Sequence, residues 1–261
     1  MKVVLLAGGM GTRISEESEY RPKPMIEIGG MPILWHIMKE YSYYGYHDFI
    51  ICAGYKQHMI KKWFADYCFY VSDISYDFSV ENEKDRIIVH NRHADPWHVT
   101  VVDTGLYTNT GGRINRVRDY IGDEAFMMTY GDGVCDVNIS ELVEFHQQNK
   151  TIATLTSVKQ KQQKGVLEID NYNTVRAFRE KNTEDGALIN AGYMVLEPQI
   201  FDYIDGDDTV LETDVLSKLA QDGQLKSFKH TGFWQCMDNL QEKRILEKLL
   251  AENCAPWKKW E

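Results

Sequence analysis

Apolar residues along this chain fall in short, nearly continuous runs rather than in strict alternation. The runs "VVLLA", "DFIICAG" and "AFMMTYGDG" predict strands buried on both faces, and helical spacing between them predicts helices around 33–44, 57–69, 113–120 and 139–148. Strands alternating with helices feed a parallel sheet, so the expected fold class is α/β, with a Rossmann-like, mainly parallel central sheet flanked by helices. Ligands of such sheets sit beyond the carboxyl ends of the strands. Residues 73–104 break the pattern with "ISYDFSV", "RIIVHN" and "VTVVDTG", which predict a small antiparallel β excursion or a subunit contact. After Thr151, "TIATLTSV", "VLEI" and "TVRAFREK" predict further strands, and "ALINAGYMVLEPQIFDYI" a strand running into a helix. A final helix over 240–251 carries Ile245, Leu246, Leu249 and Leu250 on one face; it and its tail, 240–261, close what is expected to be one domain over 1–261.

Composition narrows the class of partner. With 261 residues, 43% of them hydrophobic and only 6 prolines, the chain can bury a full core, and no long disordered stretch is expected. A net charge of −10 argues against a surface that wraps nucleic acid, because that affinity comes from Lys and Arg neutralising phosphates. No apolar run approaches the ~20 residues of a membrane span, and the first strand begins without a charged leader or signal core. Cys52, Cys68, Cys135, Cys236 and Cys254 are scattered without CxxC spacing, which fits free thiols in a reducing compartment. The expectation is a cytoplasmic protein with neither nucleic-acid nor membrane partners. Trp97 and Trp257 suit cores or subunit contacts.

Candidate chemistry is concentrated in "LLAGGMGTRISEESEYRPKPM". This is not G-x-G-x-x-G, and the Lys-Ser/Thr pair of a P-loop is missing; no helix start is evident after the glycines. What the segment offers is a loop whose backbone N–H groups can approach phosphate oxygens closely. Arg13 adds a planar fork for phosphate, and Lys23, fixed between Pro22 and Pro24, a compact cation. Asp132, in "GDG" at a strand end, is either a turn residue bonding its own backbone or an oxygen ligand for a hard cation such as Mg²⁺. Asp238, in "GFWQCMDN", is either the N-cap of the last helix or a second carboxylate of the same kind.

Together with "PILWHIMKEYS", "ADPWHVTVVDTG", "TGGRINRV", "TYGDGVCDV" and the closing "APWKKWE", these stretches resemble the nucleotide-sugar pyrophosphorylases almost end to end. These are sugar nucleotidyltransferases that join a nucleoside triphosphate to a sugar 1-phosphate, and the resemblance is to the cytidylyl-transferring branch. It implies a GT-A-like nucleotidyltransferase fold, a homo-oligomer, and transfer from CTP to a sugar 1-phosphate, α-D-glucose 1-phosphate foremost. The product would be CDP-glucose for O-antigen or another surface polysaccharide. By the same resemblance Arg13, Lys23 and Asp132 are catalytic, and Asp132 and Asp238 hold Mg²⁺. Leu6, Gly8, Gly9, Gly11 and Thr12, with Arg13, Lys23 and Asp132, bind the nucleotide, and Thr110, Gly111 and Gly112 meet its base. Because a sugar phosphate is already ionised at neutral pH, no catalytic base is required, and none of the 8 histidines is given that role.

The resemblance assigns Glu180, Lys181, Asn190 and Gly165 to the acceptor, where the match is thinnest. Asn182 follows the Glu-Lys pair where the family has proline. "VKQKQQKGVLEI" keeps only Gly165 of a Pro- and Gly-rich loop, and Leu211–Glu212 stands for a Trp–Glu pair. A different phosphorylated acceptor, or a non-catalytic nucleotide-sugar sensor, are the competing readings. Lys159, Lys161 and Lys164 form either a solvated loop or a lid over an acceptor phosphate.

Overall fold

The computed structural model describes residues 1–82, 86–91, 93–159, 166–169, 175–179 and 187–260, with the backbone alone for Ser15, 166–169 and 175–179. Its centre is a seven-stranded sheet in the order Leu225–His230, Ala153–Lys159, Leu188–Leu196, Phe126–Tyr130, Val3–Ala7, Asp48–Ala53, His98–Asp103. Leu188–Leu196 runs antiparallel to both of its neighbours, and the other adjacent pairs are parallel. Val3–Ala7 lies between two parallel partners and every residue in it is buried. Its side chains serve two cores: Val3, Leu5 and Ala7 face one, Val4 and Leu6 the other. Burial on both faces is why the sequence shows a continuous apolar run there.

On the first face the helix Ile33–Tyr43 buries Ile33, Leu34, Ile37, Met38 and Tyr41, and the helix Leu240–Ala251 adds Leu246. Trp257, from the tail, is fully buried in the same cluster, so it serves the core of its own chain. Trp97 packs at the margin of this core, stacked on Tyr67 and donating to Ser42 Oγ at 2.7 Å. On the opposite face Ile114, Val117 and Ile121 meet Ile200, Leu211, Val215 and Leu219. No described helix is long and apolar enough to cross a membrane.

Three local expectations change. The excursion over 73–104 narrows to a hairpin in which Asp73–Tyr76 pairs with Ile87–His90, while His98–Asp103 joins the main sheet parallel to Asp48–Ala53. Its half-buried pattern is that of an edge strand, which in sequence looks like a piece of antiparallel sheet. The helix expected over 113–120 is two short ones, Thr110–Asn115 and Arg118–Ile121. After Leu188–Leu196 the chain enters a 3-10 turn, Pro198–Tyr203, rather than an α-helix.

Val3–Ala7, Asp48–Ala53, His98–Asp103 and Phe126–Tyr130 all run in one direction, so they end on one edge of the sheet. That edge gathers the glycine-rich loop, the segment after Asp103 and the Gly131–Asp132 turn.

Candidate functional site

A cleft of about 410 Å³ opens on this edge, walled by Leu6, Gly8, Gly9, Gly11, Thr12 and Arg13 on one side and Thr108, Asn109 and Thr110 on another. Lys23, Tyr130, Asp132 and Asp238 also line it. Gly11 has φ +66°, which lets the chain reverse into a 3-10 turn, Thr12–Ile14, and then a helical turn, Ser15–Ser18, where no helix was expected. Gly8 is required for another reason. A Cβ there would lie 2.1 Å from Nη1 of Arg113, whose buried guanidinium runs beneath the loop. Arg113 Nη1 donates to Thr104 Oγ1 at 2.8 Å and to the Gly105 carbonyl at 2.7 Å. Sequence reasoning missed this residue; its signal was an Arg placed directly after the paired glycines.

The charged centre is compact. Lys23 Nζ donates to Asp132 Oδ2 at 2.6 Å and to Asp238 Oδ1 at 2.7 Å, and Arg13 Nη1 donates to Asp238 Oδ2 at 3.0 Å. Burial pulls the Lys23 pKa down, but the two carboxylates outweigh it and hold the ammonium above its ordinary value. Burial pushes Asp238 up, yet its bonds to Lys23 and Arg13 prevail and leave it below the usual carboxylate range. Asp132 thus bonds a cation 109 residues away in sequence instead of acting only as a turn residue. The N-cap of the last helix is Asn239, not Asp238: its side chain accepts from Glu242 N, while Glu242 Oε2 accepts from Asp238 N at 2.6 Å. With Asn239 as the cap, the Asp238 carboxylate is left to face the cleft.

Two carboxylates converging on one point are a hard-oxygen donor set of the kind Mg²⁺ takes, and the Lys23 ammonium stands at that point. Cys236 Sγ lies 3.6 Å from Asp238 Oδ2, but burial, then Glu242, Asp238 and Asp132, push its thiol up to about 12, so it stays protonated at neutral pH. Among the described residues no histidine lines the cleft. His36 bonds the Ile28 carbonyl, His146 lies between Thr154 and Glu197, and His230 pairs with Asp136.

Of the TGG segment, only Thr110 reaches the cleft. Gly111 and Gly112 instead donate their N–H groups to the Thr209 carbonyl at 3.0 and 3.3 Å. A Cβ on Gly112 would stand 2.5 Å from the Asp207 carbonyl oxygen, a backbone atom that cannot swing aside. Gly112→Ala is expected to lower the unfolding free energy by roughly 1–3 kcal/mol, measured by urea titration, because overpacking must displace the 207–209 segment. On the acceptor side Asn190 Oδ1 accepts from Gly192 N at 2.8 Å, and its side chain also bonds the Tyr130 hydroxyl. Gly165, Glu180 and Lys181 lie outside the described residues, as do Lys161, Lys164 and Asn182; Lys159 is exposed at the end of its strand.

A glycine loop shaped for phosphates, set against two acidic groups that share one cation, is suited to moving a nucleotidyl group, and the chain belongs to the nucleotidyl transferase family, whose sequence profile matches residues 2–241. It is 50% identical to glucose-1-phosphate cytidylyltransferase of Salmonella typhimurium over the whole of both chains. It is 40% identical, again over the whole of both, to the probable glucose-1-phosphate cytidylyltransferase of Bacillus subtilis. Among solved structures, HddC of Yersinia pseudotuberculosis has the same fold, with a TM-score of 0.67 at 23% identity, over 95% of this chain and 99% of that one.

Proposed function

We propose that the protein transfers the cytidylyl group of CTP to α-D-glucose 1-phosphate, giving CDP-glucose and pyrophosphate. The observation that carries this reading is the meeting of Lys23 with both Asp132 and Asp238 beside the glycine-rich loop, in a chain half identical to an enzyme named for that reaction.

Asp132 and Asp238 would hold Mg²⁺, which when bound supplies positive charge to the triphosphate. Lys23 and Arg13 then serve the phosphates in place of the carboxylates they bond here. Backbone N–H groups of Gly8–Gly11 meet phosphate oxygens, and Thr108–Thr110 form the wall for the base. Asn190 faces the acceptor, with Glu180, Lys181 and Gly165 as its further partners. The attacking oxygen belongs to a phosphate whose second pKa is about 6, so the protein need only align it with the α-phosphorus and offset the repulsion of two anions. We further assign the reaction to the cytoplasm, where free thiols are stable, in a homo-oligomer that feeds surface-polysaccharide synthesis.

The test is pyrophosphate release with Mg²⁺ and CTP across a panel of sugar 1-phosphates and other phosphorylated acceptors. Release with glucose 1-phosphate is expected. Release only with a different acceptor would move the assignment to that acceptor, and binding of CTP without release from any would leave a sensor.

A further inference from the structure

On the Thr110 wall of the cleft the hydroxyl hydrogens are already committed. A hydroxyl has one hydrogen and two lone pairs. Thr110 gives its hydrogen to Glu212 Oε2 at 2.7 Å and receives the Leu211 N–H at 2.9 Å, which leaves one lone pair for a ligand. The Tyr130 hydroxyl donates to the other oxygen, Glu212 Oε1. Both residues line the cleft, and a ligand group that meets either hydroxyl must bring its own hydrogen.

The arrangement does not hang on one bond. Asn109 Nδ2 donates to the Asp208 carbonyl at 2.9 Å, and the Gly111 and Gly112 amides bond the Thr209 carbonyl. These contacts lock the 207–212 segment against Thr110–Asn115, and Glu212 arrives from the first position but one of the wide turn Leu211–Leu216. Pyrimidine bases differ in the property such a wall reads. Cytosine carries an amino donor at C4, where uracil and thymine carry a carbonyl acceptor; at N3 the polarity is reversed, so accepting hydroxyls prefer cytosine at the C4 edge. An acceptor facing an acceptor leaves both without a partner, which costs more than a missing contact.

We propose that Glu212 is a positioning residue for base selection: by holding the hydroxyl hydrogens of Thr110 and Tyr130 it leaves these two hydroxyls able only to accept from a ligand, and where they meet the C4 edge of the base this favours CTP over UTP. The inference rests on the cytidylyl reading above and adds to it a residue that touches no reacting atom. Glutamine cannot replace the carboxylate. One of its oxygens becomes an NH₂ that donates to a hydroxyl, and that hydroxyl must then turn its hydrogen elsewhere, toward a uracil carbonyl among other partners.

The experiment measures kcat/KM for CTP and for UTP, with glucose 1-phosphate and Mg²⁺, in the wild type, Glu212→Gln and Thr110→Val, beside calorimetric binding of CDP and UDP. The wild type is expected to prefer CTP. Glu212→Gln is expected to lower the CTP/UTP ratio about tenfold or more, through a higher KM for CTP and a lower one for UTP, with the CDP/UDP affinity ratio moving in step. Equal losses with both nucleotides in Glu212→Gln would overturn the proposal, since a merely structural role predicts that result. Should Glu212→Gln fail to fold, as judged by thermal unfolding, Thr110→Val decides: a reduced CTP/UTP ratio supports the proposal and an unchanged ratio overturns it. A wild type with no preference for CTP would remove the cytidylyl reading and this proposal together, which separates that failure from one confined to the variants.

Discussion

Asp132→Asn will lower pyrophosphate release by on the order of a thousandfold while the protein stays folded. Asparagine keeps the shape of the side chain and one oxygen, so the Gly131–Asp132 turn and the Met237 N to Asp132 carbonyl bond at 2.8 Å survive. What is lost is one of the two negative charges that converge on Lys23 Nζ. On the proposed function a divalent cation would then have one carboxylate in place of two, and Lys23 would be drawn to Asp238 alone. The Asp132 side chain is about a third exposed, 32%, so removing its ion pair should change the unfolding free energy by less than about 1 kcal/mol. A continuous pyrophosphate assay with CTP and glucose 1-phosphate, run beside thermal unfolding, checks both halves. A variant that keeps a tenth of the wild-type rate would take Asp132 out of the reacting centre.

The sheet was legible because strands covered on both faces are written as unbroken apolar runs, and Val3–Ala7, Asp48–Ala53 and Phe126–Tyr130 are so covered. His98–Asp103 was harder to place. As an edge strand it is only half buried, and a half-buried strand does not announce whether its partner runs parallel. The centre of the site was legible for a similar reason: Gly8, Gly11, Arg13, Lys23 and Asp132 lie in short segments whose local chemistry survives without the fold. Residues that act through distant partners were not. Gly112 gives no sign that its missing Cβ makes room for the backbone of Asp207, nor does Glu212 show that Thr110 waits 102 positions earlier. Asp238 is an intermediate case. Cap and ligand are equally written in "DN", but the Asn239-x-x-Glu242 spacing is that of a reciprocal cap and could have released Asp238 from the duty.

Lys23→Met will cost about a hundredfold or more in kcat, because on the proposed function a charge that develops on leaving pyrophosphate loses its buried cation, and it will also make the melting temperature more sensitive to divalent metal. In the wild type the ammonium bonds one oxygen of each carboxylate, so Asp132 and Asp238 tolerate their proximity without any other ion. Methionine fills much the same volume and leaves the two acids facing each other, with Arg13 bonding only Asp238. The sign of the pH effect follows. Asp238 has a depressed pKa in the folded wild type, so it contributes stability above the ordinary carboxylate pKa, and that stability is lost as pH falls through the depressed value. Lys23 has a raised pKa, so its contribution is present below the ordinary lysine value and lost only as pH rises through the higher one. At neutral pH the wild type holds both contributions, and the variant keeps only the part of the Asp238 contribution that comes from Arg13. Acidification should therefore cost the variant less than the wild type, since protonating one of its carboxylates relieves repulsion. Added Mg²⁺ should raise the melting temperature of the variant at neutral pH more than that of the wild type, because on the proposed function the metal would have to displace Lys23 in the wild type, whereas in the variant no ammonium stands between Asp132 and Asp238. Melting curves at two pH values with and without Mg²⁺ decide the matter without any assay of turnover: equal metal-induced shifts in the two proteins would mean that Lys23 does not stand where the cation binds.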